Sequence, residues 1–178
     1  RYMDYCLEYP ALKDKDYIFK AIDYEELSHF LDSFQSGLIY IGGPWCKNCQ
    51  AVINELNEVG KKSGLEVIYN YDPRFTNVFK EEEDLRDCKT LENKLKYYAI
   101  VEKIGFKSEE LVVDTLIPRM HIPFIFGIKN GHCIGYYSPE FIKDEAGLHK
   151  EGDTEDKTIE FICTVTDLIH KIENNQIL

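Results

Sequence analysis

The chain has 178 residues, with 44% hydrophobic and 30% charged side chains, and its 21 Lys and Arg against 32 Asp and Glu leave a formal net charge of −11. This mixture excludes collagen-like, low-complexity and wholly disordered chains, and the acidic balance repels phosphate backbones, so no nucleic-acid partner is expected. A chain of this length buries about 70% of its unfolded surface, which suits a single domain over 1–178, and no apolar run reaches the roughly 20 residues of a transmembrane helix.

In chain order, residues 1–16 read as an acidic, Tyr-rich N-terminal extension broken by Pro10. The chain opens Arg1-Tyr2-Met3 without an apolar signal region, which is expected when an upstream tag, signal peptide or lipoprotein leader has been removed. Tyr17–Ile22 reads as a strand, and Asp23 with Glu26 three residues on has the spacing of a capping box. Leu27, Phe30, Leu31 and Phe34 give that helix an apolar face, with Gly37 at its C-terminal cap. Leu38–Ile41 is a continuous apolar run stopped by Gly42-Gly43-Pro44, as in a buried strand. A helix is expected from about Cys46 to Ser63, with Val52, Ile53, Leu56 and Val59 inward and Gly64 ending it, then a strand over Leu65–Tyr71.

Residues 73–112 are highly charged and helical in pattern. Leu85, Cys88, Leu91, Leu95, Tyr98 and Val101 follow at spacings of three and four, which predicts one amphipathic helix ended by Gly105. The run Glu81-Glu82-Glu83-Asp84 suits its solvated N-terminus, and Ser108 is placed to cap a shorter helix through Leu116. Asn130-Gly131 between Phe124–Ile128 and Cys133–Tyr137 signals a β-hairpin. Residues 138–156 read as a surface loop, and Lys157–Glu173 as a helix with Ile159, Ile162, Cys163, Val165, Leu168, Ile169 and Ile172 inward. The order β-α-β-α-β, helical stretch, hairpin and helix predicts an α/β fold, a central mixed sheet with helices on both faces.

The six cysteines are too sparse for a disulfide scaffold. Cys6, Cys88, Cys133 and Cys163 are scattered and read as small buried hydrophobes, with two bridges among them as the alternative. Four free thiols favour a reducing, cytoplasmic setting; an extracytoplasmic or lipoprotein setting stays open if a leader was removed. Cys46 and Cys49, in Trp45-Cys46-Lys47-Asn48-Cys49, lie after a strand and at the start of a helix. Residues three apart on a helix share a side, so the two sulfurs can meet. The free N–H groups of the helix start and the Lys47 cation favour a thiolate at Cys46, lowering such a thiol from about 8.5 into roughly the 3.5–7.5 range. Cys46 is then the nucleophile and Cys49, one turn deeper, the resolving thiol. The competing readings are half of a zinc site, for which no second closely spaced ligand pair exists, and a structural pair.

The stretch Leu38 to Cys49, with its W-C-x-x-C, resembles the thioredoxin family. So does Arg119-Met120-His121-Ile122-Pro123 followed by Phe124–Ile128 and Lys129-Asn130-Gly131, which is similar to the family's I-P strand and K-N-G hairpin. The resemblance spans about 17–72 and 113–178. It implies a thioredoxin fold with a helical insertion over about 73–112, ahead of the strand that follows a cis Ile122–Pro123 bond. It implies a thiol–disulfide oxidoreductase acting on protein thiols and disulfides together with an unidentified redox partner. Trp45, Lys47, Asn48, Ile122 and Pro123 would form the substrate-binding surface. Neither metal nor organic cofactor is implied, since the Cys46–Cys49 pair is itself the redox centre. The family's buried Asp, six residues before the first cysteine, is here Tyr40, and Lys47-Asn48 matches no familiar dipeptide between the cysteines. The insertion either shapes the active-site face or decorates one edge. Cys88 within it reads as core or as a third redox thiol, and His121 as surface or as a neighbour of the sulfurs. The alternative function is a non-catalytic binding or accessory module of a secretion or transport system.

Overall fold

The computed structural model describes residues 3–75, 83–139 and 154–174. Strands β1 (Phe19–Ile22), β2 (Gly37–Ile41), β3 (Ile68–Tyr71), β4 (Phe124–Lys129) and β5 (His132–Tyr137) form one mixed sheet in the order β1-β3-β2-β4-β5. β3 runs parallel to β1 and β2, pairing Leu38 with Ile68 and Ile41 with Tyr71. β4 runs antiparallel to β2, pairing Gly37 with Ile128 and Ile41 with Phe124, and β5 is antiparallel to β4. β2 is therefore central and buried along its whole length, as its continuous apolar run requires. At the hairpin, Asn130 and Gly131 both take positive φ, 50° and 80°, as its two-residue turn demands.

Helices α1 (Tyr5–Glu8), α2 (Tyr24–Asp32), α3 (Lys47–Lys62), α4 (Leu91–Ile104) and α5 (Thr154–Glu173) complete the described architecture. The pleat divides the core into two layers. Leu38, Tyr40, Ile68 and Ile125 face one layer with α3 and α5. Ile39, Ile41, Phe124, Phe126 and Ile128 face the other with α2 and α4. The capping box of α2 is present in both directions: the Glu26 amide donates to Asp23 at 2.8 Å and the Asp23 amide to Glu26 at 3.2 Å.

Several expectations are corrected. α2 ends at Ser33, not near Gly37, which opens β2, and Phe34 is 87% exposed. The strands begin late, at Phe19 and Ile68. The single helix expected from Leu85 is two elements: a 3-10 turn, Leu85–Asp87, and then α4. Cys88 between them is left-handed at φ 53°, and Thr90 caps α4 by accepting the Asn93 amide. This break turns the helix, so Leu91, Leu95 and Tyr98 are exposed while Tyr97, Ile100, Val101 and Ile104 enter the core. No helix follows Ser108: Leu111 and Pro118 form an isolated bridge around a turn, and Leu116 is 90% exposed. On α5, Phe161 takes the inward place expected of Ile159, Ile162 and Cys163, all three of which are exposed. Cys6, Cys88 and Cys133 are only partly buried, and all six cysteines are free thiols. The loop expected over 138–156 falls mostly outside the described residues, and its last three positions, 154–156, open α5 instead; of the acidic run, Glu81 and Glu82 lie outside the described residues and Glu83 is exposed. Asp84 is buried rather than solvated.

The N-terminal segment is not an appendage. Met3, Tyr5, Tyr9 and Leu12 are buried in the layer of α3 and α5. Tyr5 stacks on Tyr9 and Phe19 with ring centroids 5.8 and 5.1 Å apart. Asp14 anchors the connection into β1 by accepting from Lys61 Nζ at 2.7 Å and Asn57 Nδ2 at 3.0 Å. Leu12→Ala should therefore lower the unfolding free energy by about 2–5 kcal/mol, while Phe34→Ala stays within about 0.5 kcal/mol of the parent. Urea titration of both variants checks this; equal effects would place the segment outside the core.

Candidate functional site

The site is built where β2 meets α3. Asn70 of β3, buried, donates through Nδ2 to the carbonyls of Tyr40 and Gly42, each at 3.1 Å, and so pins the end of β2. Gly42 and Gly43 are there because side chains would not fit. A Cβ on Gly42 would lie 2.6 Å from Cys49 Sγ and 2.7 Å from Tyr40 Oη, and one on Gly43 would strike Trp45 and Asp72. Cys46 then takes the N-cap position of α3 with extended backbone (φ −96°, ψ 122°), and its sulfur accepts the Cys49 amide at 3.4 Å. A sulfur does here what a Ser or Asp oxygen does at other helix starts.

The two thiols are driven apart in acidity. Cys46, partly exposed, is lowered to about 6, first by the hydrogen bond from Cys49, against the effect of burial, then by the amides of Cys49 and Asn48 and by the Arg86 charge. Cys49 is fully buried, and burial first, then its partner Cys46, pushes its pKa well up; the Tyr40 hydroxyl and the Gly43 backbone pull it back. A cation that contributes to the lowering of Cys46 is Arg86, which no motif in the sequence singles out. Lys47, which follows Cys46 in the chain, is exposed.

Arg86 comes from the 3-10 turn of the helical stretch. It is buried, pairs through Nε and Nη2 with both oxygens of Asp84 at 3.1 and 2.8 Å, and donates through Nη1 to Met120 O at 2.9 Å. Tyr97 of α4 donates to Pro118 O at 2.6 Å and accepts the Met120 amide at 2.8 Å. The stretch thus grips the segment that leads to Ile122. The Ile122–Pro123 peptide is cis, and Ile122 O lies 3.9 Å from Cys46 Sγ. Of the two readings of the 73–112 stretch, its described part both shapes the site and packs α4 into the core.

Trp45 is partly exposed beside Cys46. Its indole N–H is shared between the oxygens of Asp72 at 3.1 and 3.2 Å, and the Arg74 guanidinium covers its ring at 3.5 Å. Arg74 also reaches Asp84, at 3.9 Å. Asn48 is partly exposed and Pro123 buried. The structure therefore brings Trp45, Cys46, Cys49 and Ile122 together with Asp72, Arg86 and Tyr40. His121 is exposed and pairs with Glu110. Cys88 hydrogen-bonds the Arg86 carbonyl and its pKa is raised by burial, unlike that of an activated thiol. Asp72 stands in the sequence as the first half of an Asp-Pro strand stop, which is the available signal for it. Among the described residues, no three His, Cys, Asp or Glu side chains converge as metal ligands, and no helix is long and apolar enough to cross a membrane.

No family model matches the sequence, and no curated protein matches it.

Alkylation of Cys46 should follow its thiolate fraction, rising with pH through a midpoint of about 6. Arg86→Met removes a positive charge and leaves Asp84 without its bidentate partner, so the midpoint should move up. The variant should also lose about 3–5 kcal/mol of stability from the broken buried pair. Iodoacetamide kinetics with peptide mapping reads the first effect and denaturant unfolding the second; an unchanged midpoint would show that Arg86 does not act on the thiol. Because the folded thiol ionises lower than an ordinary thiol, its stabilising contribution is full above the ordinary thiol value and is lost as pH falls through about 6.

Proposed function

We propose that the chain is a thioredoxin-like thiol–disulfide oxidoreductase that exchanges the Cys46–Cys49 dithiol and disulfide with protein substrates. The observation that carries this reading is the opposed acidity of two thiols one helical turn apart, with Cys46 lowered to about 6 and Cys49 buried and raised. The strand order, the position of the pair after central β2 and the cis bond just before β4 are compatible with a thioredoxin fold.

In the reducing direction the Cys46 thiolate attacks one sulfur of a substrate disulfide. A bond forms between Cys46 Sγ and that sulfur, and the other substrate sulfur leaves with the electron pair. Cys49 then loses its proton and attacks Cys46 Sγ, closing the intramolecular disulfide. The second substrate sulfur leaves as a thiolate and takes up a proton. The two electrons come from the protein's dithiol, and a redox partner must restore them. The backbone of Ile122, beside Cys46, offers an edge on which an extended substrate chain adds as a strand, with Trp45, Lys47, Asn48 and Pro123 around it. The dithiol needs no metal or organic cofactor in this scheme.

Cys49→Ser should accumulate a mixed disulfide between Cys46 and substrate proteins, and Cys46→Ser should form none, as read by non-reducing electrophoresis. A Cys46→Ser, Cys49→Ser double variant with full biological activity would instead support a binding or accessory module. A thiol that ionises at about 6 stabilises the reduced form. The reduction potential, measured against glutathione buffers, should accordingly lie above the roughly −270 mV of thioredoxin and toward the −120 to −180 mV of oxidants and isomerases. A value at or below about −270 mV would count against that direction and favour a reductase.

A further inference from the structure

The resolving thiol is buried, yet it must ionise to attack. Tyr40, on β2 and fully buried, sets its hydroxyl beside the Cys49 sulfur. The two atoms crowd the same side of Gly42, at 2.7 and 2.6 Å from where a Cβ would stand, so no side chain separates them. Tyr9 Oη lies 3.1 Å from Tyr40 Oη. A phenol has one hydrogen to give, so when Tyr40 donates to the sulfur, the bond between the phenols runs from Tyr9 to Tyr40.

We propose that Tyr40 is the donor that stabilises the Cys49 thiolate during resolution of the mixed disulfide, and that Tyr9 is the positioning residue that holds the Tyr40 hydroxyl in that orientation. The proposal rests on the oxidoreductase reading above. Tyr9 is itself fixed: its amide donates to Tyr5 O at 2.8 Å, its ring stacks on Tyr5, and Tyr5 Oη donates to Asn70 Oδ1 at 2.8 Å. The N-terminal segment thereby reaches the chemistry through two hydroxyls.

Tyr40 is a donor and not a base, since burial holds its pKa well above the ordinary phenol value and it keeps its proton. The ionisable groups that act on this pair include Cys46 at the N-cap of α3 and Tyr9 from the N-terminal segment; Tyr5 and Asp72 in turn act on Tyr9, and Arg86 on Cys46. At Cys49, burial and Cys46 disfavour negative charge, and the Tyr40 hydroxyl is a side chain that favours it. In the step itself the Cys49 S–H proton is lost and the Cys49–Cys46 bond forms. The Cys46–substrate bond breaks, and the departing substrate thiolate takes up a proton, so the step is balanced without a further reactant.

The test uses the reduced full chain with a Cys163→Ser change, which removes the exposed competing thiol. Sub-stoichiometric dithiobis(nitrobenzoate) releases one thionitrobenzoate when Cys46 attacks and a second when Cys49 resolves. Tyr40→Phe should lower the ratio of the second rate to the first by about tenfold or more, the size expected for losing a hydrogen bond to a charged group. It should also move the pH midpoint of the second release upward. Tyr9→Phe should shift both in the same direction by less. An unchanged ratio and midpoint in a folded Tyr40→Phe overturns the proposal. If that variant does not fold, an unchanged Tyr9→Phe overturns it. A parent chain that releases one thionitrobenzoate and never closes the Cys46–Cys49 bond overturns the oxidoreductase reading itself, a result distinct from either variant's.

Discussion

The hydrogen bond from the Cys49 amide to the Cys46 sulfur is the contact on which the site depends. A helix start leaves amide donors without partners, and an oxygen side chain satisfies one of them at modest benefit. A neutral thiol is a weak acceptor and a thiolate a strong one. With sulfur at the N-cap of α3, the helix is well capped only when Cys46 is ionised. The same geometry that ends the loop after β2 therefore sets the charge state of the exposed thiol, and folding and reactivity share one contact.

Holding that contact takes parts from three separate segments. Asn70 fixes the end of β2 from the neighbouring strand, and Gly42 and Gly43 let the sulfurs, Tyr40, Trp45 and Asp72 close in without an intervening Cβ. The helical stretch adds Arg86, neutralised by Asp84 and tied to Met120 O, so a buried cation comes near Cys46 without being left unpaired. A buried charge without a partner would be strongly destabilising; with Asp84 bidentate to it, Arg86 still leaves Nη1 to hold the segment ahead of Ile122. Arg74, over Trp45 and near Asp84, closes the chain of contacts around the site.

Local chemistry is legible in the sequence and distant chemistry is not. The Asp23 capping box, the Asn130-Gly131 turn, the buried run of β2 and the helix opening at Cys46 each depend on residues a few positions apart, and the structure places all four as the sequence reads. The faces of α4 and α5 differ from expectation for a definite reason. Leu91, Leu95 and Tyr98 have helical spacing, but so do Tyr97, Ile100, Val101 and Ile104, and periodicity does not say which set meets the sheet. The left-handed Cys88 and the Thr90 cap decide it. Arg86 and Tyr9 act across separations of 34 and 31 residues, to Met120 and Tyr40, and no spacing rule links such pairs. Asp84, in an acidic run, reads as solvated and the Tyr-rich start reads as an extension, until the fold buries both.

Placing a phenol rather than a carboxylate at position 40 changes the electrostatics of the pair. A buried carboxylate beside Cys49 would oppose the thiolate when ionised and would itself be expensive to keep charged in an apolar layer. Tyr40 brings a dipole without a net charge. It lets Cys49 stay neutral at rest, where burial holds it, and offers a hydrogen to the sulfur as negative charge develops. On the proposed reading the resting dithiol then carries one negative charge, on Cys46, where α3 and Arg86 favour it. Closing the disulfide removes that charge and with it the favourable contacts. The redox poise is thus set mainly on the exposed sulfur and the rate of closure mainly on the buried one, which leaves each open to adjustment through different residues.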